Sequence, residues 1–346
     1  MVPLGRAKRV TLEDVAAATG VSRATVSRVV NGSSAVDAAA ARKIRAAIKR
    51  LNYVPNQAAR TLMTDRTNTV ALVAAEPEDR VFGDPFFASI VRGISQGLAG
   101  SGWGMTIVMV QGPAEVAGAA RYLAGGHTDG ALFISEHGGH ELARAVNDAG
   151  VPVVIGGRPM HPSLRTSYVD QDNVGGAQQA AHHLARSGRS RIATIAGPQD
   201  MSAGVDRLIG FQRGLGSDFD PALVEMGNFT SQSGATAMQT LLEREPAIDA
   251  LFAASDLMAL GALQTLRRAG RRVPADVAVI GYDDIPLAAE SMPALSTLRQ
   301  DTVEQGRRMA ELLLRRIAQK GEALSQESTD YEGVILPVSL VLRETT

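Results

Sequence analysis

Residues 11–31, TLEDVAAATGVSRATVSRVVN, decide how the rest of this chain is read. Two short amphipathic segments flank one glycine. Thr11 occupies an N-cap position with Asp14 three residues on, an acidic variant of the capping box. Val10 and Val15 fall at the two places of a hydrophobic staple. The device repeats at once: Ser22 is placed to cap a second helix, and Val21 and Val26 form its staple. Gly20 lies in the turn, where a positive φ is often needed. Leu12, Val15 and Ala16 make one apolar stripe, and Val26, Val29 and Val30 make another, so two helices can pack at a steep angle. The outer face of the second helix is then Arg23, Ala24, Thr25, Ser27 and Arg28. It is small, polar and basic with no acid on it, which suits entry into a DNA major groove. A helical hairpin in any α domain would show the same caps and stripes, so the neighbouring segments have to decide.

Downstream, Asp37 is placed to cap a third helix with Ala41, Ile44, Ile48 and Leu51 on one face. Residues 51–63, LNYVPNQAARTLM, follow. Pro55 stops the connection and Asn56 can cap a short segment, 57–62, which is too short to hold a helix alone in water. Charge divides sharply near this point. Residues 1–66 carry 12 Lys/Arg against 4 Asp/Glu, a net of +8, and the remainder carries 23 against 32, a net of −9. A basic head on an acidic body is expected of a DNA-binding module joined to something that does not touch DNA.

With 346 residues the chain has room for two or three domains, and 45% apolar residues suit a soluble globular protein with large cores. The absence of cysteine excludes a disulfide framework and a thiolate metal site. No run of about 18 apolar residues is present, so no membrane span is expected. The first ten residues, MVPLGRAKRV, have no apolar core of a secretory signal, and the expected compartment is the cytoplasm.

From residue 69 onward strands and helices alternate. TVALVAA (69–75) is a continuous apolar run, as in a parallel strand covered on both faces. A helix is expected over 85–99, a strand over 105–110, a helix near 115–123, the strand GALFIS, a helix near 139–149 and the strand VPVVI. A second set begins near Asp170. It has helices over 174–187, 207–215, 231–242 and 257–269, with RIATIAG, ALFAAS and VAVIGYDD as strands between them. A helix over 303–320 and one closing strand over 334–342 complete the chain. Two lobes built from βαβ units are expected.

The order of segments resembles the LacI/GalR family of bacterial transcription regulators. The resemblance rests on Thr11-Leu12-x-Asp14-Val15-Ala16, Gly20-Val21-Ser22, Thr25-Val26-Ser27-Arg28-Val29-Val30-Asn31 and Leu51-Asn52-Tyr53-x-Pro55-Asn56, and it continues through the body. It implies a helix-turn-helix headpiece over 1–55, a hinge over 56–67 and an effector-binding and dimerisation domain over 68–346. The body would have the two-lobed α/β form of periplasmic sugar-binding proteins, with three crossovers and a ligand in the cleft. Lobe one is expected over about 68–169 and 300–330, and lobe two over about 170–299 and 331–346.

The resemblance also assigns residues. Arg23 and Ala24 match the pair that reads bases. Thr11, Ser22, Thr25 and Asn31 would hold the DNA backbone, with Ser27 and Arg28 on the same face. In the hinge, Asn56, Ala59 and Leu62 match a helix that forms on operator DNA, with Leu62 as an apolar wedge in the minor groove. Asp84-Pro85-Phe86-Phe87 matches the family's Asn/Asp-Pro-Phe-Phe, whose ring can stack on a sugar or base. The residues alone equally allow a helix start with two core aromatics. Arg207 matches an arginine that grips a ligand hydroxyl or carboxylate. Asp283 matches a cleft aspartate after a strand, Gln300 a polar residue at a crossover, and Asp170 the passage between lobes. Asp172 could simply cap the next helix. Two positions depart from the pattern: Ser255 precedes Asp256 where Asn is common, and Gly157 precedes Arg158 where Asp is common. The effector could therefore be a different sugar, a larger glycoside or no sugar at all.

His137-Gly138-Gly139-His140, flanked by Glu136 and Glu141, has the composition of a metal site but sits on a glycine-rich loop, a poor zinc frame. No metal and no cofactor are expected, and no nucleophile elbow or phosphate loop marks an enzyme. The expectation is a homodimeric repressor on a pseudo-palindromic double-stranded operator, controlled by a small-molecule effector of the carbohydrate class, with no membrane contact. The chain ends directly after the closing strand without apolar heptads, so a dimer is expected rather than a tetramer. A solute-binding protein and a sugar-modifying α/β enzyme are the alternatives.

Overall fold

The computed structural model describes residues 10–30, 35–54, 66–138, 141–161, 164–322 and 331–346. The chain divides into two units, Met1–Thr67 and Asn68–Thr346.

In the first unit, α1 (Leu12–Thr19), α2 (Arg23–Val30) and α3 (Ala38–Leu51) close around Val15, Val26, Ile44 and Ala47, with Tyr53 also buried. The caps form as the sequence predicts. Thr11 and Asp14 make a reciprocal capping box, and the Ser22 Oγ accepts the Thr25 N–H at 3.2 Å. The Asp37 carboxylate takes the Ala39 and Ala40 N–H groups at the start of α3. Gly20 has φ 66°, and its N–H closes α1 on the Ala16 carbonyl. Val10 and Val21 pack against the buried cluster, as the staples require.

The second unit begins with β1 (Thr69–Ala74), α4 (Glu78–Gly83), α5 (Pro85–Leu98), β2 (Gly104–Met109), α6 (Pro113–Tyr122), β3 (Gly130–Ile134), α7 (Glu141–Asp148), β4 (Val153–Gly156) and β5 (Ser167–Gln171). Next come α8 (Asn173–Arg186), β6 (Ile192–Ala196), α9 (Ser202–Leu215), β7 (Val224–Met226), α10 (Ser231–Arg244), β8 (Ala250–Ala253) and α11 (Asp256–Arg268). The chain continues with β9 (Ala278–Asp283), α12 (Pro286–Glu290), β10 (Ser296–Arg299), α13 (Thr302–Glu322), β11 (Gly333–Leu336) and β12 (Ser339–Val341). Two six-stranded sheets result, in the orders β11-β5-β4-β3-β1-β2 and β12-β10-β9-β8-β6-β7. Every pairing is parallel except β10 with β12. Each sheet is covered on both faces by apolar clusters, which is why runs such as Val70–Ala74 show no polar alternation.

The expected single closing strand is instead two. Pro337 cannot donate to a ladder, and the chain leaves the first sheet there. β11 pairs with β5, and β12 crosses to pair with β10. Residues 333–336 therefore belong to lobe one, where lobe two was expected. α9 also starts five residues before the expected 207, at Ser202. The lobes are linked by three crossings, between β5 and α8, between β10 and α13, and at Pro337.

Glycines bring the helices around the cleft close together. A Cβ on Gly93 of α5 would overlap the Val303 carbonyl of α13, and one on Gly306 would overlap the Ile90 carbonyl. This contact aims the first turns of α5 and α13, which carry Phe86 and follow Gln300, at the same space.

Candidate nucleic-acid interface and ligand cleft

On α2, Ser22, Arg23, Ala24 and Arg28 are exposed, while Thr25 and Ser27 are half-buried. One expectation needs correction. The face is not free of acid, because Glu13 of α1 reaches across and pairs with Arg23 Nε at 2.9 Å. The pairing leaves the terminal Nη groups of Arg23 as forked donors. Thr11 is exposed at the start of α1, and its hydroxyl is held by Asp14 at 2.9 Å. Asn31, Asn56, Ala59 and Leu62 lie outside the described residues.

In the body, the C-terminal ends of strands from both sheets face one cleft, where open α/β sheets place ligands. Its hub is Arg207 on α9, 5% exposed. Arg207 Nε donates to Asn173 Oδ1 at 2.9 Å and Nη1 to the Ala254 carbonyl at 2.7 Å. The guanidinium carbon stands over Tyr282, 3.6 Å from the ring centroid, and 5.7 Å from that of Phe229. These contacts fix the plane of the guanidinium. Its remaining bonds are long, 3.4 Å to Asp283 Oδ1 and 3.5 Å to Gln300 Oε1, so ligand oxygens can compete for those donors.

Gln300 Nε2 donates to Asp283 Oδ1 at 2.7 Å. Asp283 has φ 117°, a strained value for a residue other than glycine. Burial pushes its carboxyl up to about 7 despite Arg207, and the nearby Asp84 charge adds to the rise. Asp84 caps α5 through the Phe86 N–H at 2.9 Å, and burial raises its pKa too. Phe86 stands edge-on to Phe87 and turns a half-buried face to the cleft.

Arg158 is committed across the cleft. Its Nε and Nη2 grip both oxygens of Asp206 on α9, each at 2.6 Å. Its backbone N–H donates to Asp170 Oδ2 at 3.0 Å, and Asp170 Oδ1 receives Asn173 Nδ2 at 3.0 Å. Burial raises the Asp170 pKa against the Arg158 and Gln171 backbone N–H donors. Asp172, weighed as a simple cap, does cap α8 through the Gly175 N–H at 2.9 Å.

Two small adjoining chambers, each of about 70 Å³, occupy the cleft. Phe86, Ser135, Met201, Ala203, Arg207 and Gln300 line both. Asp170 and Arg158 line the first, and Asp84, Ser255 and Asp283 the second. Two predicted residues are not brought there. Phe87 is 2% exposed in the core beneath α5. Asp256 is fully buried behind the cleft, where it accepts the Ile285 N–H at 2.9 Å and the Thr297 hydroxyl at 2.5 Å. Burial and the Asp283 charge raise its pKa well above the ordinary range. Ser255 does line the second chamber, but its hydroxyl also caps α11 through the Met258 N–H at 3.3 Å.

Sequence reasoning missed Phe229, Arg80, Ser135, Met201 and Asn173. Phe229 sits in a loop at φ 63° with no motif around it, and Arg80 of lobe one lies 5.3 Å from its ring. Such a pairing, 149 residues apart in the chain, leaves no local signal.

A three-helix unit with a basic helix face, followed by a two-lobed α/β body with a polar cleft, defines a DNA-binding regulator with a built-in ligand compartment. The chain belongs to the lacI family of bacterial regulatory proteins. The description of that family's DNA-binding region matches residues 11–56, and a periplasmic binding protein-like domain matches residues 181–346. The chain is 48% identical over 344 residues to the HTH-type transcriptional regulator CelR of Thermobifida fusca, covering 98% of this chain and 99% of the relative. It is 33% identical over 316 residues to the ribose operon repressor of Escherichia coli, covering 89% and 93%. Among solved structures, a transcriptional regulator CelR–cellobiose complex superposes with a TM-score of 0.77 at 46% identity, covering 98% of this chain and 100% of that one. A lac repressor dimer bound to operator and the anti-inducer ONPF superposes with a TM-score of 0.84 at 29% identity, covering 98% and 99%. The relatives are transcription regulators, and this chain is one too rather than an enzyme.

Proposed function

We propose that the chain is a homodimeric repressor of a pseudo-palindromic operator, and that its effector is a β-linked glucose disaccharide of the cellobiose class, bound between the lobes. The observation that carries the reading is the Arg207–Gln300 pair shared by two adjoining chambers, with Asp283 bound to both side chains in the second. In this reading each ring of a disaccharide takes one chamber as the lobes adjust around it, with Phe86, which lines both, offering a face for stacking. Arg207 donates, Asp283 accepts and Gln300 does both, which is the inventory that sugar hydroxyls need. The likeness to the CelR–cellobiose complex supports the same ligand class. On DNA, Arg23 would read guanine through its Nη fork and Ala24 a thymine methyl, with Thr11, Ser22, Thr25, Ser27, Arg28 and Asn31 on the backbone and Asn56, Ala59 and Leu62 in the hinge. A second copy would cover the groove of Leu260, Leu263, Val273, Leu287 and Met292, where Met292 is 95% exposed.

Calorimetric titration of the full-length protein with cellobiose, glucose, ribose and hypoxanthine tests the ligand. Cellobiose is expected to bind, and glucose about tenfold or more weaker because it fills one chamber. Binding of ribose or hypoxanthine without cellobiose would overturn the assignment.

A further inference from the structure

His137 follows β3 in lobe one, and Asp200 lies between β6 and α9 in lobe two. The His137 Nδ1 is 2.9 Å from Asp200 Oδ2, and its Nε2 is 3.2 Å from Glu76 Oε1. Glu76, two residues past β1, is buried and also pairs with Arg80 at 2.9 Å. The Gly138 N–H donates to the Asp200 carbonyl at 2.9 Å. One imidazole therefore spans the cleft mouth, from a carboxylate fixed on its own lobe to a carboxylate on the other.

A neutral imidazole has one donor nitrogen and one acceptor nitrogen. With carboxylate oxygens opposite both nitrogens, the neutral ring turns a lone pair toward an anion, and only the imidazolium satisfies both sides. The charged groups around the ring are Glu76 and Arg80 from lobe one and Asp200 from lobe two, with Glu136 preceding it in the chain. The bond to Glu76, with the bond to Asp200 after it, raises the His137 pKa above its ordinary value against the opposing effect of burial.

We infer that His137 is a positioning residue for ligand capture: its protonated ring latches the two lobes over the cleft, so that binding in the cleft takes up a proton. The inference rests on the reading that the ligand sits between the lobes. Opening the lobes removes Asp200 from the ring but leaves Glu76, so the closed form holds the proton more tightly than the open one. The latch is complete below the open-form midpoint and is lost as pH rises through the higher closed-form midpoint. A ligand that prefers the closed form binds more tightly on the acid side of that window. The Arg158–Asp206 clasp spans the same cleft without titrating there, so closure weakens above the window but is not abolished.

Calorimetry of cellobiose binding in buffers of different ionisation heat, between about pH 6 and 8, counts the protons. Wild type is expected to take up a fraction of a proton, with affinity falling about fivefold or more across the range. His137→Gln and Asp200→Asn are both expected to take up less than wild type, with Asp283, the other group of the cleft that titrates in this range, left as the remaining contribution in each. Proton uptake by His137→Gln equal to wild type would overturn the inference. A second readout needs no ligand: NMR titration of the six histidines, with His137 assigned by its loss in His137→Gln. The His137 midpoint is expected to fall in Asp200→Asn, and an unchanged midpoint would show that the ring does not bridge the lobes in solution. If cellobiose gives no heat, the ligand reading fails while the NMR titration still decides the latch.

Discussion

At the end of β9 a single carboxylate, Asp283, combines a strained backbone, a half-buried position and three polar neighbours. Its pKa of about 7 in the folded protein stands above the ordinary 3.8, so the folded state binds more protons between those values. Its contribution to stability is therefore full below about pH 4 and is lost as pH rises to about 7, by at most about 1.4 kcal/mol per unit. Asp283→Asn does not titrate. Its melting temperature relative to wild type should rise from pH 4 to 7 and then level off, and calorimetric scans across that range measure it. In the headpiece, Arg23→Ala should cost about 1–3 kcal/mol of operator affinity and relax preference at one base position in each half-site. A binding-site selection on the variant reads this directly. The residue scale is also where sequence reading was most uneven. Arg207, Asp283 and Gln300 stand in short motifs and reach the cleft. Phe87 and Asp256 stand in the same kind of motif and are buried as core and as strut, because adjacent residues at a helix start point about 100° apart and only one of each pair meets the cleft. The Glu13–Arg23 pair joins two helices whose facing sides only the turn at Gly20 defines.

Elements with uniform burial were legible from their apolar runs: β1, β3, β4, β6, β8 and β9 coincide with stretches covered on both faces. β5, β7 and β10 were not, since SYVDQ, VEM and STLR carry polar side chains. In β5 and β10 those side chains include the groups that serve the crossings, such as Asp170 and Gln171. The break at Pro337 was visible as a residue but not as a change of sheet, because which edge β11 joins is decided by lobe packing rather than by local preference. Gly306→Ala places a methyl against the Ile90 carbonyl, which is backbone and cannot turn aside. Overpacking of this kind costs about 1–3 kcal/mol. The variant should melt lower, and it should also bind cellobiose more weakly, because Phe86 and Gln300 sit at the displaced ends. Melting curves with and without ligand separate the two effects.

For the molecule as a whole, a net charge of +8 before residue 67 and −9 after it separates the DNA-facing part from the sensing part. The duplex attracts the first and repels the second. If the Met292 groove is covered by a second copy, Met292→Asp buries a charge there and should shift sedimentation toward monomer at micromolar concentration, while wild type stays a dimer. In the proposed function the cleft governs operator binding through its ligand. This is tested most directly by an operator titration with and without cellobiose on wild type, Asp283→Asn and Arg207→Ala. The account predicts near-equal operator affinity of all three without cellobiose, release of wild type by cellobiose, and at least about tenfold more cellobiose, about 1.4 kcal/mol, for release of either variant. Release of both variants at the wild-type concentration would contradict it.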